Sequence, residues 1–450
     1  MTAARALALA LACGCAAAPR SAPEPIPAAS PALAPRPVRP GPAGEAPVRT
    51  EAQLTLGAVG DVLMHGAVKA SAAAHRDPRG GDQEGYGSLY AEVADLLSAP
   101  DLTFANLETP IAPAADRGSR SYVFNAPPAA ARALRAAGVD LVSVANNHVF
   151  DQGREGFLET LRRLDEAGLA WVGAGAPPAE AGPRLVEVRG LTLAFLAWTR
   201  FFNDDGNACP PAGQCLRAAL LDAERATAAV RQAAASADAV VVSLHWGEEY
   251  AAAPRPQDVE LAHRLAEAGA LVVLGHHPHV LQPLELYRRA DGRVAVIAYS
   301  LGNFVSNQSR LFVAGVTPAR VGATRDGALL RVTLARRDYG RGVRQVEVAG
   351  VDYLPLWTEN DAAEIEARRD PKARPSIRVV SLDRALRAVR AELDAIPDPA
   401  PEADRARWVR LRQREQLYLS RRQAIAAVLG EDLQAEPPPA PAAAATGQAR

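Results

Sequence analysis

The chain has 450 residues, with 50 basic and 51 acidic side chains and a formal net charge of −1. That balance gives no reason to propose nucleic acid or a polyanionic surface as partner. A hydrophobic fraction of 48% is ample for a core, so the chain has room for one large domain or two smaller ones.

Met1 to Ala18 reads as an export signal: Arg5, then apolar Ala6 to Ala12, then small residues and cysteines. The apolar stretch is far shorter than the roughly 20 residues of a membrane-spanning helix. LALACGC resembles a bacterial lipoprotein cleavage box, although neither Cys13 nor Cys15 has Leu three positions earlier. Cutting before Cys13 would leave a very short signal, so Cys15 is the expected lipidation site and residues 1–15 the signal. Ordinary secretion without a lipid is the alternative. Residues 16–50 are rich in Ala and Pro and read as an extended linker. Cys209 and Cys215 flank PPAGQ; in an exported protein such a pair is expected to form a loop disulfide.

Order begins near Ala52. LTLGAVGD is a buried strand ending in Gly60-Asp61, and Ser88 is an expected N-cap for a helix over Leu89 to Leu97. DLTFANLE is a second strand, ending in Asn106 and Glu108. Pro127 to Ala137 is helical and closed by Gly138. DLVSVANNH is a third strand, ending in Asn146, Asn147 and His148. Gly156 to Ala167 is an amphipathic helix with Leu158, Leu161 and Leu164 on one face. RLVEVRGLTLAFLAWT then reads as a hairpin turning at Arg189-Gly190. A helix over Leu221 to Ala235 leads to a strand ending in His245. Another over Asp258 to Ala268 leads to Leu271 to Leu274, which stops at Gly275. His276, His277, Pro278 and His279 follow, holding three of the chain's eight histidines. Leu284 to Tyr287 and Arg293 to Tyr299 form a second hairpin around Asp291-Gly292, and two more strands cover Ala328 to Leu334 and Val343 to Leu354. Crossovers mixed with hairpins fit two sheets packed face to face with helices outside. Residues 376–432, including Ile377 to Leu393 and Ala403 to Leu429, read as C-terminal helices beyond a main domain at 51–358, and residues 433–450 as a disordered tail.

The C-terminal ends of the apolar strands share one chemical character. They carry Asp61, Asn106, Glu108, Asn147, His148, His245, His277, His279 and Asn303. Ligands bind at the carboxyl ends of strands in α/β sheets. Carboxylates and an amide mixed with imidazoles suit Mn, Zn or Fe better than Ca. The donors suffice for two ions about 3.5–4 Å apart, with Glu108 as the candidate bridging carboxylate. For the HHPH stretch alone, a His-rich surface turn is an equal alternative.

Six segments in order, GAVGDVLMHG, FANLETPI, VANNHVFDQG, LHWGEEY, GHHPHVLQPLE and YSLGNF, resemble the motif series of the CapA family of poly-γ-glutamate capsule proteins. That family is similar to the calcineurin-type metallophosphoesterases. The resemblance covers about Leu54 to Trp357. It implies a four-layer α/β/β/α sandwich, metallo-dependent phosphatase-like, with metals at the sheet edges; the C-terminal helices, read from their own charged helical pattern, form a helical appendage outside the matched region. It also implies Asp61, Asn147, His245, His277 and His279 as metal ligands, with His148 near the leaving group. Two departures stand out. Leu63 occupies the place of the first motif's histidine, and Asn106-Leu107-Glu108 replaces the bridging Gly-Asp. The first ion is thus short of a ligand; His65 either substitutes or is an ordinary loop histidine.

In that frame His148 protonates the leaving group and Asp151 orients it, unless Asp151 only forms a turn. Asn106, Asn146, His276, Glu249, Tyr250, Gln282, Glu285, Ser300 and Asn303 line the substrate cleft. Trp246 is read as core, His263 as a helix-face residue, and His75 has no role. Two functions follow: a metal-dependent hydrolase of a phosphoester or amide bond at the cell envelope, or a non-catalytic accessory of capsule polymer assembly or export that grips anionic polymer. Expected partners are an anionic polymer or phosphorylated small substrate, the capsule synthesis and export membrane proteins, and the membrane itself through a lipid anchor.

Overall fold

Leu54 to Val62 is apolar at almost every position, so its strand needs cover on both faces. The computed structural model describes residues 48–434 apart from 78–80, 82, 119–120, 176–181, 205–216, 341, 370–372 and 398. The expected signal, most of the linker, Cys15, Cys209, Cys215 and the tail beyond 434 lie outside the described residues.

Strands are numbered in chain order. The first sheet holds β1 (Arg49–Val62), β2 (Leu102–Leu107), β3 (Leu141–Ser143), β4 (Ala170–Val172), β13 (Asn303–Val305), β14 (Asp326–Asp338), β15 (Arg344–Asn360) and β16 (Ile377–Ser381). The second holds β6 (Arg184–Val188), β7 (Leu191–Thr199), β9 (Ala239–His245), β10 (Ala270–His276), β11 (Leu284–Arg288) and β12 (Val294–Ala298), while β5 (Ala174–Gly175) and β8 (Arg217–Ala218) pair separately. The first sheet runs β16-β15-β14-β1-β2-β3-β4, with β13 beside the end of β1; the second runs β11-β12-β10-β9-β7-β6. Strands β1 to β4 are mutually parallel, as are β7, β9, β10 and β12. β13 also runs parallel to β1, and antiparallel strands make up the rest of both sheets.

Alternation along each strand sorts its side chains into layers. Leu54, Leu56 and Phe104 from one sheet meet Leu193, Phe195, Val241 and Leu274 from the other in a shared inner core. Val59, Val62 and Val142 face outward beneath α1 (Gly66–Ala74), α2 (Ala94–Leu97), α3 (Pro128–Ala136) and α4 (Gly153–Glu166). Val240, Val242 and Val273 face outward beneath α5 (Ala223–Ala234) and α6 (Pro256–Ala268). The result is a four-layer α/β/β/α sandwich. The remaining helices are α7 (Ala362–Arg368), α8 (Leu382–Asp394) and α9 (Glu402–Leu429). Leu386 and Val389 of α8 and Tyr418 and Ile425 of α9 continue the inner core, so the C-terminal helices are part of the packed body. Buried Arg421 of α9 forks onto Asp326 at the start of β14, its Nε donating to Oδ1 at 2.9 Å.

Three elements differ from the sequence expectation. The helix over Leu89 to Leu97 is a 3-10 turn at Tyr86–Leu89 followed by the single turn α2. Leu89, Tyr90, Val93, Leu96 and Leu97 are buried while Ala91 and Glu92 are exposed, but the backbone leaves the helical region at Val93, with φ −131° and ψ 0°, and splits the stretch in two. Ser88 donates its hydroxyl to Gly85 O at 2.7 Å and caps nothing. Ile377 to Ser381 is a strand, β16, because Ile377 and Val379 face the outer cluster while Val380 faces the inner core, a period of two. In α4, Phe157 rather than Leu158 joins Leu161 and Leu164 inside; Leu158 is 38% exposed.

Candidate metal centre

Register sets the site. Within the first sheet Asp61 lies opposite Asn106 on one side and Asn303 on the other. Within the second, His276 lies opposite His245. Asp61, Asn106, His245 and His276 fall at the carboxyl ends of parallel strands, and Asn303 opens β13 beside them.

The segment Tyr299 to Gly302 ties these ends together. Leu301 N donates to Gly275 O at 3.1 Å in the second sheet, and Gly302 O accepts from Asp61 N at 2.9 Å in the first. This close passage needs glycine on both sides. A Cβ on Gly275 would lie 1.9 Å from Tyr299 O, and one on Gly60 would lie 1.9 Å from Gly302 O.

Asp61 is fully buried and accepts from Asn106 Nδ2 at 2.8 Å and from His277 N at 3.2 Å. His279 Nδ1 stands 3.2 Å from its Oδ2. His276 Nδ1 stands 3.3 Å from its Oδ1, but off the hydrogen-bonding direction, and both ring nitrogens of His276 lack partners. Glu108, also fully buried, has Oε1 3.4 Å from His245 Nε2 and Oε2 4.0 Å from His279 Nδ1. Neither Glu108 oxygen has a hydrogen-bond partner, nor does His277 Nδ1 or Asn106 Oδ1. His245 Nε2 stands 2.9 Å from Asn147 Oδ1. His277 and His279 take positive φ angles of 96° and 58° on either side of Pro278, a costly backbone held by its surroundings.

The protonation pattern follows from burial. Burial alone would raise the Asp61 carboxyl, but His276 and His279 beside it hold it well below the usual carboxylate range. Burial, then the Asp61 charge, push Glu108 well above its usual range. Burial, then His277, hold His245 well below the ordinary imidazole value; burial, then His279, lower His277 to about 4. Neutral imidazoles present lone pairs, and a buried carboxyl group without a partner calls for a cation.

Three groups of donors each lie within 4.8 Å of one another: Glu108 with His245 and His277; Asp61 with Glu108 and His279; and Glu249 with His277 and His279. Glu108 belongs to two of them. The orphaned oxygens and nitrogens, with this mix of carboxylate and imidazole, fit a divalent cation.

Beside the cluster His148 Nδ1 lies 2.8 Å from Asp151 Oδ2, and the same oxygen accepts from Phe124 N at 2.6 Å. Phe124 packs 4.5 Å from the His148 ring. Asn146 spends its side chain on backbone, donating to Leu107 O at 2.8 Å and accepting from His148 N at 3.2 Å. Asn303 donates to Gln308 Oε1 and Thr324 O. Gln282 donates to Ala251 O, and Ser300 Oγ accepts from Gly302 N; both side chains are buried. Tyr250 is half exposed, with its ring 6.1 Å from that of His279. Burial, then Glu249, push the Tyr250 hydroxyl up to about 12.

Glu285 is a correction. It sits on β11, where the pleat turns it toward α6: its carboxylate meets His263 Nε2 at 2.9 Å and the Tyr299 hydroxyl at 2.5 Å. His65 stands against the Phe124 ring and accepts from Asn307 N at 3.3 Å; burial lowers it to about 4. It belongs to none of the donor groups. Trp246 is buried, its Nε1 donating to Tyr299 O at 3.0 Å.

Phe124 and Asn203 are members that sequence reasoning missed. Asn203 accepts from Asn147 Nδ2 at 3.3 Å and approaches His148 Nδ1 at 3.4 Å. The available signal was its place just after β7, on the same sheet edge as His245. A separate hollow between α5 and α6, lined by Glu224, Arg231, Arg264 and Glu267 among others, shares no residue with the cluster.

With the geometry fixed, comparison with known proteins places the chain. It belongs to the family described as bacterial capsule synthesis protein PGA_cap, whose sequence pattern matches residues 55–308. It is 31% identical over 305 residues to the capsule biosynthesis protein CapA of Bacillus anthracis, covering 66% of this chain and 67% of that one. To the PGA biosynthesis protein CapA of Bacillus subtilis (strain 168) it is 31% identical over 287 residues, covering 63% and 68%. A solved 5'-nucleotidase precursor from Thermus thermophilus superposes with a TM-score of 0.38 and 17% identity, over 68% of this chain and 54% of that chain. An overlay that loose carries no argument about activity.

Proposed function

We propose that this protein is a metal-dependent hydrolase of the cell envelope acting in capsule or poly-γ-glutamate biosynthesis, on a phosphoester or amide bond. The observation that carries the reading is Glu108, buried without a hydrogen-bond partner between His245 and His279. In this reading Asp61, Glu108, Asn147, His245, His277 and His279 would hold divalent metal, expected as two ions of Mn, Zn or Fe. Such ions supply Lewis acidity, acidifying water and polarising the oxygen under attack. His148 donates a proton to the leaving group through Nε2, because Asp151 engages Nδ1 and fixes the ring. The strand-end segments exclude water from the carboxylates, and Asn146 holds the His148 loop to β2. The test is turnover of aryl phosphates and of γ-glutamyl polymer by purified protein with and without added metal. Loss of turnover in His148→Ala with metal content intact supports the reading; wild-type protein that binds metal yet turns over neither substrate sinks it.

A second reading is a non-catalytic accessory that uses the bound cation to grip carboxylates of the polymer. Leu63, buried where the phosphoesterase pattern has a histidine, favours it. A His148→Ala strain that keeps full capsule would support this role. We place the protein outside the cytoplasm, lipid-anchored through Cys15 and working beside the membrane proteins that make and export the polymer. Among the described residues no helix is long and apolar enough to cross a membrane. Loss of lipid labelling in Cys15→Ser checks the anchor; labelling that persists removes it.

A further inference from the structure

The turn after β9 is docked onto the turn after β10. Tyr250 N donates to Pro278 O at 2.8 Å. Gly247, with φ 87°, lets Pro278 approach: a Cβ there would lie 3.2 Å from Pro278 Cγ. Tyr250 itself has φ 64°, so both turns hold uncommon backbone where they touch. The docking brings a carboxylate oxygen of Glu249 and ring nitrogens of His277 and His279 within 4.8 Å of one another. Glu249 is exposed, whereas both histidines are buried, and His277 Nδ1 has no partner. The negative charge of Glu249 is also felt at Glu108. Its neighbour Glu248 acts instead on Arg255 near the start of α6.

We propose that Glu249 is a metal ligand, closing the cation site from the solvent side together with His277 and His279. This rests on the metal reading above and adds a residue to it. A carboxylate at the mouth is the donor best able to swing aside, so it controls entry and exit of the ion and shields the site's positive charge.

The experiment is titration of metal-stripped protein with Mn²⁺ and Zn²⁺, reading stoichiometry by elemental analysis and affinity by calorimetry. Wild type, Glu249→Gln, Glu249→Asp, Glu248→Gln and His245→Ala are compared. Glu249→Gln is expected to lose one ion or weaken its binding by about tenfold or more, with Glu249→Asp between it and wild type and Glu248→Gln within about twofold of wild type. Unchanged melting of the metal-free Glu249→Gln protein excludes a folding defect, as its exposure predicts. Glu249→Gln that binds like wild type while His245→Ala loses ions overturns this proposal alone. Wild type that binds no ion overturns the metal reading and this proposal with it.

Discussion

Glu108 of β2 and His245 of β9 face each other across the two sheets, Oε1 to Nε2 at 3.4 Å, with both Glu108 oxygens otherwise unpartnered. Burial favours the protonated Glu108 without metal, so Glu108→Gln is nearly isosteric there and should leave metal-free stability within about 1 kcal/mol of wild type. Saturating metal should stabilise wild type by about 2.7 kcal/mol at a hundredfold excess over Kd, and Glu108→Gln by far less. Thermal melts with and without chelator decide it.

Asp151 Oδ2 engages His148 Nδ1 and Phe124 N, and its charge reaches Glu108 without direct contact. Asp151→Asn should therefore lower turnover about 10- to 100-fold without changing metal content. A variant that loses metal instead would make Asp151 part of the metal scaffold rather than an orienting group.

The strand ends were legible because each apolar run stops at a residue with donor chemistry: Asp61, His245, and His277 with His279. The turns at Arg189-Gly190 and Asp291-Gly292 marked both hairpins, and hairpins mixed with crossovers pointed to two sheets. Glu285 misled because it closes the motif GHHPHVLQPLE, yet the pleat of β11 points it at His263 of α6. Asn203 and Phe124 come from loops, whose path no periodicity encodes. Ile377 to Ser381 was hidden by the helix-forming residues that follow it.

Gly275 lets Tyr299 O pass at a distance no side chain allows. Gly275→Ala should cost about 2–4 kcal/mol of stability, as overpacking against backbone does. It should also weaken metal binding, because the segment it displaces holds Asp61. Gly66, with nothing within 4 Å of its Cβ position, is the control, and Gly66→Ala should be harmless. Urea unfolding with metal titration reads both effects.

His65 is partly buried and neutral in the fold, lowered by that burial to about 4 from 6.5. The unfolded chain binds its proton first as pH falls, so its contribution is intact above about 6.5 and drains away toward 4. Metal-free wild type should lose about 1–3 kcal/mol through this group across that window. His65→Gln, which keeps an acceptor for Asn307 N, should show a shallower acid slope in denaturant midpoints. Parallel slopes would refute the assignment.

Asp61 and His279 are separated by 218 positions in the chain and belong to opposite sheets. The two donor groups that contain Glu108 draw on both halves of the polypeptide, so neither half can complete them by itself. Loading must therefore be a late event in maturation, after both sheets have met, and a chelator added during refolding should leave the sandwich formed but empty.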